Sequence, residues 1–220
     1  SNANEIKGIY VRGGRSRQVL VLVDGVPVSD PTGINQEFDL RLISLNQIES
    51  IEVLKGASSS LYGSGAATGV INIILKKSSK NTVSGSYEVS LGTNNDSKTK
   101  GFNSLDGNHN LSVNGTLGKV NYLASFNLSG VDGMSAAKSK TDTKFSEDTF
   151  TSENGFLKLG YQINTNLKVE SFFNYDAIEY TYDAGAYNDS DINKGDNNQI
   201  RYGIKPSFKY NKGEIFLLAS

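Results

Sequence analysis

The chain has 220 residues, room for one large or two small domains, and a formal net charge of −1, which gives no electrostatic basis for binding nucleic acid. It has no cysteine and a single histidine, so disulfide frameworks, thiolate chemistry and the usual zinc ligand sets are excluded. The 23 Gly, 11 Tyr and 10 Phe, against 3 Pro, suit twisted strands joined by polar loops rather than helices, and no apolar run is long enough for a transmembrane helix.

Ser1-Asn2-Ala3 reads as a remnant of tag removal and is set apart from the fold. Val19 to Val23 is an all-apolar strand, Asp24-Gly25 is a hairpin signal, and Val26 to Val28 returns. Ser29 to Asn35 is a loop by composition, broken by Asp30-Pro31 and Gly33. Asp39 is placed to cap a short helical turn running through Asn46, with Leu42, Ile43 and Leu45 as a partial apolar face.

Ile48 to Lys77 then reads as strand, glycine-rich elbow, strand. Ile48, Ile51, Val53 and Leu54 form one apolar run, expected to be at least half-buried, and Val70, Ile71, Ile73, Ile74 and Leu75 form the other. Gly56, Gly63, Gly65 and Gly69 lie between them with the small residues Ala57 to Ser60. The spacing does not fit a dinucleotide fingerprint: the third glycine is misplaced, and the segment leads into a strand rather than a helix. No G-K-[ST] follows, so a Walker loop is excluded as well.

After Lys76-Lys77 the period becomes two. Val83, Gly85, Tyr87, Val89 and Leu91 alternate with polar residues, as do Leu111 to Leu117 and Val120 to Leu128. Leu157 to Ile163, Leu167 to Tyr175 and Ile200 to Tyr210 continue the pattern, and Ile215, Leu217 and Ala219 begin a seventh strand. Gly118-Lys119, Asn164-Thr165-Asn166 and Asn211-Lys212-Gly213 are short turns, whereas the links near 93–107, 130–153 and 183–198 are long and polar. Strict alternation of short turns with long loops is the pattern of outer-membrane barrels. A soluble up-and-down sheet also alternates, but two features favour the membrane: an apolar, aromatic face long enough to span when tilted, and an opposite face of Ser, Asn, Lys and Glu.

VRGGRSRQVLVLVDGVPV (Val11–Val28) followed by IESIEVLKGASSSLYGSGAATGVINIILKK resembles the plug domain of TonB-dependent outer-membrane receptors. Asp24-Gly25, Lys55-Gly56, Leu61-Tyr62-Gly63 and Asn72 stand where that family's pattern has them, and the likeness covers nearly all of residues 5–77. The resemblance implies a mainly β fold, a fragment of a plugged barrel: residues 4–77 as part of an α+β plug, and 78–220 as about seven antiparallel barrel strands. It implies energised uptake of a scarce small molecule across the outer membrane of a Gram-negative bacterium. TonB would be the partner through a coupling box that lies N-terminal to this segment, and lipid would surround the barrel.

The second half is most similar to the cobalamin-receptor branch, in Tyr175-Asp176 through Tyr182-Asp183-Ala184 and in Gln199 to Ser220. That branch orders its outer loops with calcium, which here would fall to Tyr182, Asp183, Asp191, Asp148 and Glu153. Oxygen-rich loops suit calcium, although no complete EF-hand-like spacing is present and an ordinary solvated acidic loop fits the same residues. No cofactor is otherwise required. By the same resemblance Asp30, Thr32 and Asn35 belong to a ligand-facing plug apex, and Arg12 locks plug to barrel wall.

An enzyme is not expected: a serine triad would have to use His109, and there is no G-x-S-x-G elbow. His109 shares a face with Leu111 and reads as an interface residue. The expected substrate is cobalamin, with a ferric siderophore or other metal chelate as the alternative and a passive or adhesive plugged barrel as a further one. Seven strands with two unpaired edges and an apolar face are expected to self-associate.

Overall fold

The computed structural model describes residues 8–30, 36–63, 65–92, 107–132, 137, 140, 145–190 and 192–220. They fall into two compact units, one covering Ile6–Lys77 and one that includes Ser78–Ser220.

The first unit is a four-stranded sheet built from β1 (Val19–Val23), β2 (Val26–Val28), β3 (Ile48–Lys55) and β4 (Gly69–Leu75), in the order β2-β1-β4-β3. β1 is parallel to β4, and the other pairs are antiparallel. β1 is flanked on both sides and carries no polar residue, which matches its near-complete burial. The β1–β2 turn places Asp24 at φ 50° and Gly25 at φ 83°, the left-handed pair that a two-residue hairpin requires. Leu22, Ala66 and Val70 pack together with Leu20 against them, so the elbow between β3 and β4 supplies one wall of the core. One short helix, α1 (Ser59–Tyr62), lies in that elbow.

Two readings of this unit need correction. The single helical turn expected from Asp39 through Asn46 is two 3-10 turns, Leu40–Leu42 and Leu45–Gln47. Asp39 caps the first through its side chain, Ser44 caps the second, and the Asp39 carboxylate also takes a bidentate ion pair from Arg41, closest at 2.7 Å. The β3 run is not buried: Ile51, Val53 and Leu54 are exposed. β3 is the edge of its sheet, and IESIEVLK mixes Ile51 and Val53 with Glu49 and Lys55 on one face, so no uniformly apolar side exists to bury.

Among the described residues of the second unit, seven strands form one antiparallel sheet in chain order: β5 (Ser84–Leu91), β6 (Gly107–Leu117), β7 (Val120–Asp132), β8 (Thr149–Gln162), β9 (Leu167–Thr181), β10 (Lys194–Tyr210) and β11 (Gly213–Phe216). All seven expected strands are present; β6 to β10 run further than the apolar pattern, whereas β11 ends at Phe216, short of the expected Leu217 and Ala219. β8 starts at Thr149, β9 reaches Thr181 and β10 starts at Lys194, so the margins of the expected long loops are strand. At the start of β10, Lys194 to Gln199, backbone pairing continues where both faces have become polar, since the ladder needs only N–H and C=O groups. The short ends are tight. Gly118 takes φ 57° in the β6–β7 turn, and Asn164 Oδ1 accepts from the Asn166 and Leu167 amides at 2.9 Å each in the β8–β9 turn.

The registers sort this sheet into two different faces. Tyr87, Leu111, Phe126, Gly155, Tyr175 and Ile200 lie in one direct row across β5 to β10, and Gly85, Val113, Ala124, Leu157, Phe173 and Tyr202 lie in the next. The large members of both rows are exposed, forming a continuous apolar band. On the opposite face Glu88, Asn110, Asn127, Asn154, Asp176 and Gln199 stand in direct register across the same six strands. Asn127 donates to Asn154 at 3.3 Å, Asn154 donates to Asp176 at 3.0 Å, and Arg201 donates to the other Asp176 oxygen at 2.7 Å. A sheet apolar on the exposed face and mainly polar on the other, where Leu123, Phe156 and Ile178 are buried among the polar side chains, inverts the usual soluble arrangement and is what a barrel wall in lipid requires. No helix among the described residues is long and apolar enough to cross a membrane, which says nothing about strands.

Candidate functional site

The residue pattern that identifies the first unit is held together by its own side chains. Asp24 Oδ1 accepts from the Leu75 amide at 2.9 Å, and the Gly25 amide donates to Asn72 Oδ1 at 3.1 Å. Asn72 in turn donates from Nδ2 to Glu52 Oε2 at 3.2 Å, so hairpin turn, β4 and β3 share one network. On the other side Gln18 O accepts from both the Thr68 amide, at 3.0 Å, and its hydroxyl, at 3.2 Å, tying the entry to β1 against the start of β4. A Cβ on Gly14 would stand 2.4 Å from Thr68 Cγ2, so the second glycine of Arg12-Gly13-Gly14 is set by close approach. These motif positions specify a rigid scaffold rather than a ligand cradle.

Arg12 lies in the left-handed turn before this contact, at φ 50°, and is exposed. Its guanidinium lies over Gly56, 3.8 Å from where a Cβ would be, and no carboxylate among the described residues pairs with it. Asp30 follows β2 and is half-buried, while Thr32 and Asn35 lie outside the described residues. Beside Asp30 a cleft of about 180 Å³ is lined by Ile9, Arg17, Val28, Ser29, Glu37 and Phe38 among others. That is smaller than the roughly 300 Å³ at which small-molecule pockets begin, so by itself it would hold only part of a large ligand.

Of the calcium ligands expected in the second unit, Asp148, Glu153, Tyr182 and Asp183 are among the described residues. Glu153 is not in a loop: it lies within β8, exposed, on the face of Leu157 and Leu159, opposite Ala177 of β9. The strand extension moves it there, and its side chain points away from the face that carries Asn154. Asp148 is buried just before β8, Tyr182 and Asp183 follow β9, and Asp191 lies outside the described residues. Among the described residues no group of three or more histidine or carboxylate side chains is placed to hold a metal ion.

Those loops instead contain contacts that the sequence reading missed. Asp183 Oδ2 accepts from the Ala137 amide at 2.6 Å. Asp189 accepts from Ser146 twice, from the amide at 2.9 Å and from the hydroxyl at 2.6 Å. Lys140 Nζ lies 4.1 Å above the Tyr187 ring, a cation–π contact between the same two connections. The Ser146 hydroxyl and then its amide favour the charged form of Asp189 and hold its carboxyl below the usual aspartate range, with a smaller contribution from the neighbouring Asp183 side chain. Asp189 and Ser146 carry no motif, and only their placement within two long polar links could have drawn attention to them.

Comparison with known proteins places these features. The family described as "TonB-dependent Receptor Plug Domain" matches residues 1–70. A vitamin B12 transporter of Photobacterium profundum is 33% identical over 176 residues, 80% of this chain and 27% of that protein. A probable TonB-dependent siderophore receptor of Acinetobacter baumannii is 39% identical over 98 residues, 41% of this chain and 13% of that protein. The crystal structure of the siderophore receptor PirA from Acinetobacter baumannii superposes on 94% of this chain and 32% of its own, with a TM-score of 0.71 at 24% identity, a likeness of fold alone. The chain thus spans about a third or less of the proteins it matches. With a plug-domain match over the first unit, strands of the second unit continuing the same relatives, and the plug motif residues bonded to one another, the chain belongs to the TonB-dependent receptors.

Proposed function

We propose that this chain is the plug and leading wall segment of an outer-membrane receptor of a Gram-negative bacterium that takes up a scarce ligand by TonB-coupled transport, with cobalamin as the ligand. The observation that carries the substrate is the extent of likeness. The match to a vitamin B12 transporter runs over 176 residues and so continues past the plug into the strands and their connections, whereas the match to a siderophore receptor covers 98. Plug residues are shared across receptors of different ligands, so likeness in the wall and loops is the more discriminating part.

The geometry supports a receptor rather than an enzyme. The plug-motif residues make scaffold bonds, and Ser146 and Asp189 of two long connections are bonded at one end of the strands, where exposed Tyr182 and Tyr187 stand. A ferric-siderophore reading rests on the 39% identity to the siderophore receptor over 98 residues, 41% of this chain. Calorimetry of the complete receptor in detergent with cyanocobalamin and with ferric siderophores separates the two. Saturable binding of cobalamin supports the assignment, siderophore binding alone transfers it to the alternative, and binding of neither leaves the uptake reading without support. Loss of energised uptake in a strain lacking TonB separates both from a passive or adhesive barrel.

A further inference from the structure

We propose that the polar face of the wall binds one ordered water between β6 and β7, held by Asn110, Asn127 and Ser125, which completes a hydrogen-bonded row running to Arg201. The direction of that row is set at its charged end. A carboxylate only accepts, so Asp176 takes Asn154 Nδ2 on one oxygen, at 3.0 Å, and Arg201 on the other, at 2.7 Å. Asn154 is thereby oriented with Oδ1 toward β7, where Asn127 Nδ2 donates to it at 3.3 Å. Asn127 Oδ1 is then the group left to receive a donor, and it has none. Asn110 stands directly opposite on β6, and its Nδ2 is buried without a partner as well. The Ser125 hydroxyl, two residues before Asn127 on the same face, is another such group. Asn110 and Asn127 are only 5% and 2% exposed, so bulk solvent does not serve them.

A buried donor and a buried acceptor left bare each carry the cost of losing water, so the pair calls for a bridging group. Side chains opposed across two strands start about 4.5–5.5 Å apart at Cβ. One water spans that gap with hydrogen bonds of about 2.9 Å on either side. The donor set selects water: a cation would meet the Asn110 N–H, and an anion would meet the Asn127 oxygen. A neutral molecule that both donates and accepts satisfies both. It accepts from Asn110 Nδ2, donates to Asn127 Oδ1 and gives its second proton to Ser125 Oγ, the three bonds usual for a buried water. It is also the exchangeable member of the row, since a polar group moving along this face takes its place while Asn154, Asp176 and Arg201 stay bonded. All the residues concerned lie within the strands of one sheet, so the water site can fail while the receptor assignment stands.

The test is a crystal structure of the complete receptor at a resolution that shows ordered water, for the wild type and for Asn110→Gln. In the wild type a single water is expected within about 3 Å of Asn110 Nδ2, Asn127 Oδ1 and Ser125 Oγ. The glutamine is one methylene longer, so its amide is expected to reach Asn127 Oδ1 directly and the water to be lost. A direct bond between Asn110 and Asn127 in the wild type, a protein atom in the water's place, or a water that survives Asn110→Gln overturns the proposal. If the variant does not fold, cross-relaxation between the Asn110 side-chain amide protons and water, measured by NMR on the asparagine-labelled wild type in detergent, is read in its place. A cross-peak is expected, and its absence overturns the site.

Discussion

The amide of Gly25 and the side chain of Asn72, 47 residues apart in sequence, meet in a 3.1 Å hydrogen bond. Asn72 closes the hairpin turn from the neighbouring parallel strand, and its amide nitrogen passes the link on to Glu52. Asn72→Ala removes both bonds at a partly solvated position, so a loss of about 1 kcal/mol of plug stability is expected. The protection of the Gly25 amide against hydrogen exchange is the direct readout, and unchanged protection would show that the bond is incidental.

Gly14 is expected to be intolerant of the smallest substitution. A methyl group there meets Thr68 Cγ2 at 2.4 Å, and Thr68 cannot retreat without giving up its bond to Gln18 O. Gly14→Ala should destabilise the plug by roughly 1–3 kcal/mol, the usual range for overpacking. Gly13→Ala next to it meets no neighbouring atom and is strained only through its φ of 75°, so the two variants compared by urea denaturation separate crowding from backbone strain.

In the wall, Arg201 and Asp176 form a 2.7 Å ion pair whose side chains are 14% and 0% exposed. Arg201→Ala leaves the aspartate buried without its charge partner, and a loss on the order of 3–5 kcal/mol is expected. The double substitution Arg201→Met with Asp176→Leu should recover most of that loss, because a buried pair replaced by apolar side chains is often neutral. Refolding yield into detergent, followed by heat-modifiable gel mobility, measures both, and a double variant as damaged as the single would argue that Asp176 matters through Asn154 instead.

Acid should release the loops before the sheet. Asp189 is held below the ordinary aspartate range by Ser146, so its contribution is fully present above the unfolded value of about 3.9 and is lost as pH falls through the lower folded value. Ser146 exchange, corrected for its intrinsic pH dependence, should therefore quicken relative to the β8 strand only below about pH 4. A transition near neutral pH would point to a different group.

The sheet was legible because one face is apolar: Leu157, Leu159 and Tyr161 alternating with Lys158 and Gly160 announce β8 without any tertiary information. Its end was not legible, because from Thr151 to Asn154 polar residues occupy both faces and period two loses its contrast. The polar row has a related history. Asn110, Asn127 and Asn154 are each visible as polar positions, but their alignment follows from the registers of successive hairpins, which no local pattern encodes. The bond between Ser146 and Asp189 was invisible for a different reason. Asp189 and Ser146 lie in connections without periodicity, where only a folded chain brings residues 43 apart together. The plug motif announced the family but not the use of its residues, since Asn72 and Asp24 read as pattern letters until their bonds are seen.

The two-faced wall carries the membrane assignment, and it can be read residue by residue along β9. The chain has no cysteine, so single cysteines introduced from Ser171 to Ala177 and spin-labelled report only their own surroundings. In the receptor reconstituted in lipid vesicles, labels at Phe173 and Tyr175 should collide preferentially with oxygen, which partitions into the bilayer, and those at Asn174 and Asp176 should not. That period-two alternation is the expected result. Uniform accessibility along the strand, or preference for a water-soluble relaxant at Phe173 and Tyr175, would contradict the account.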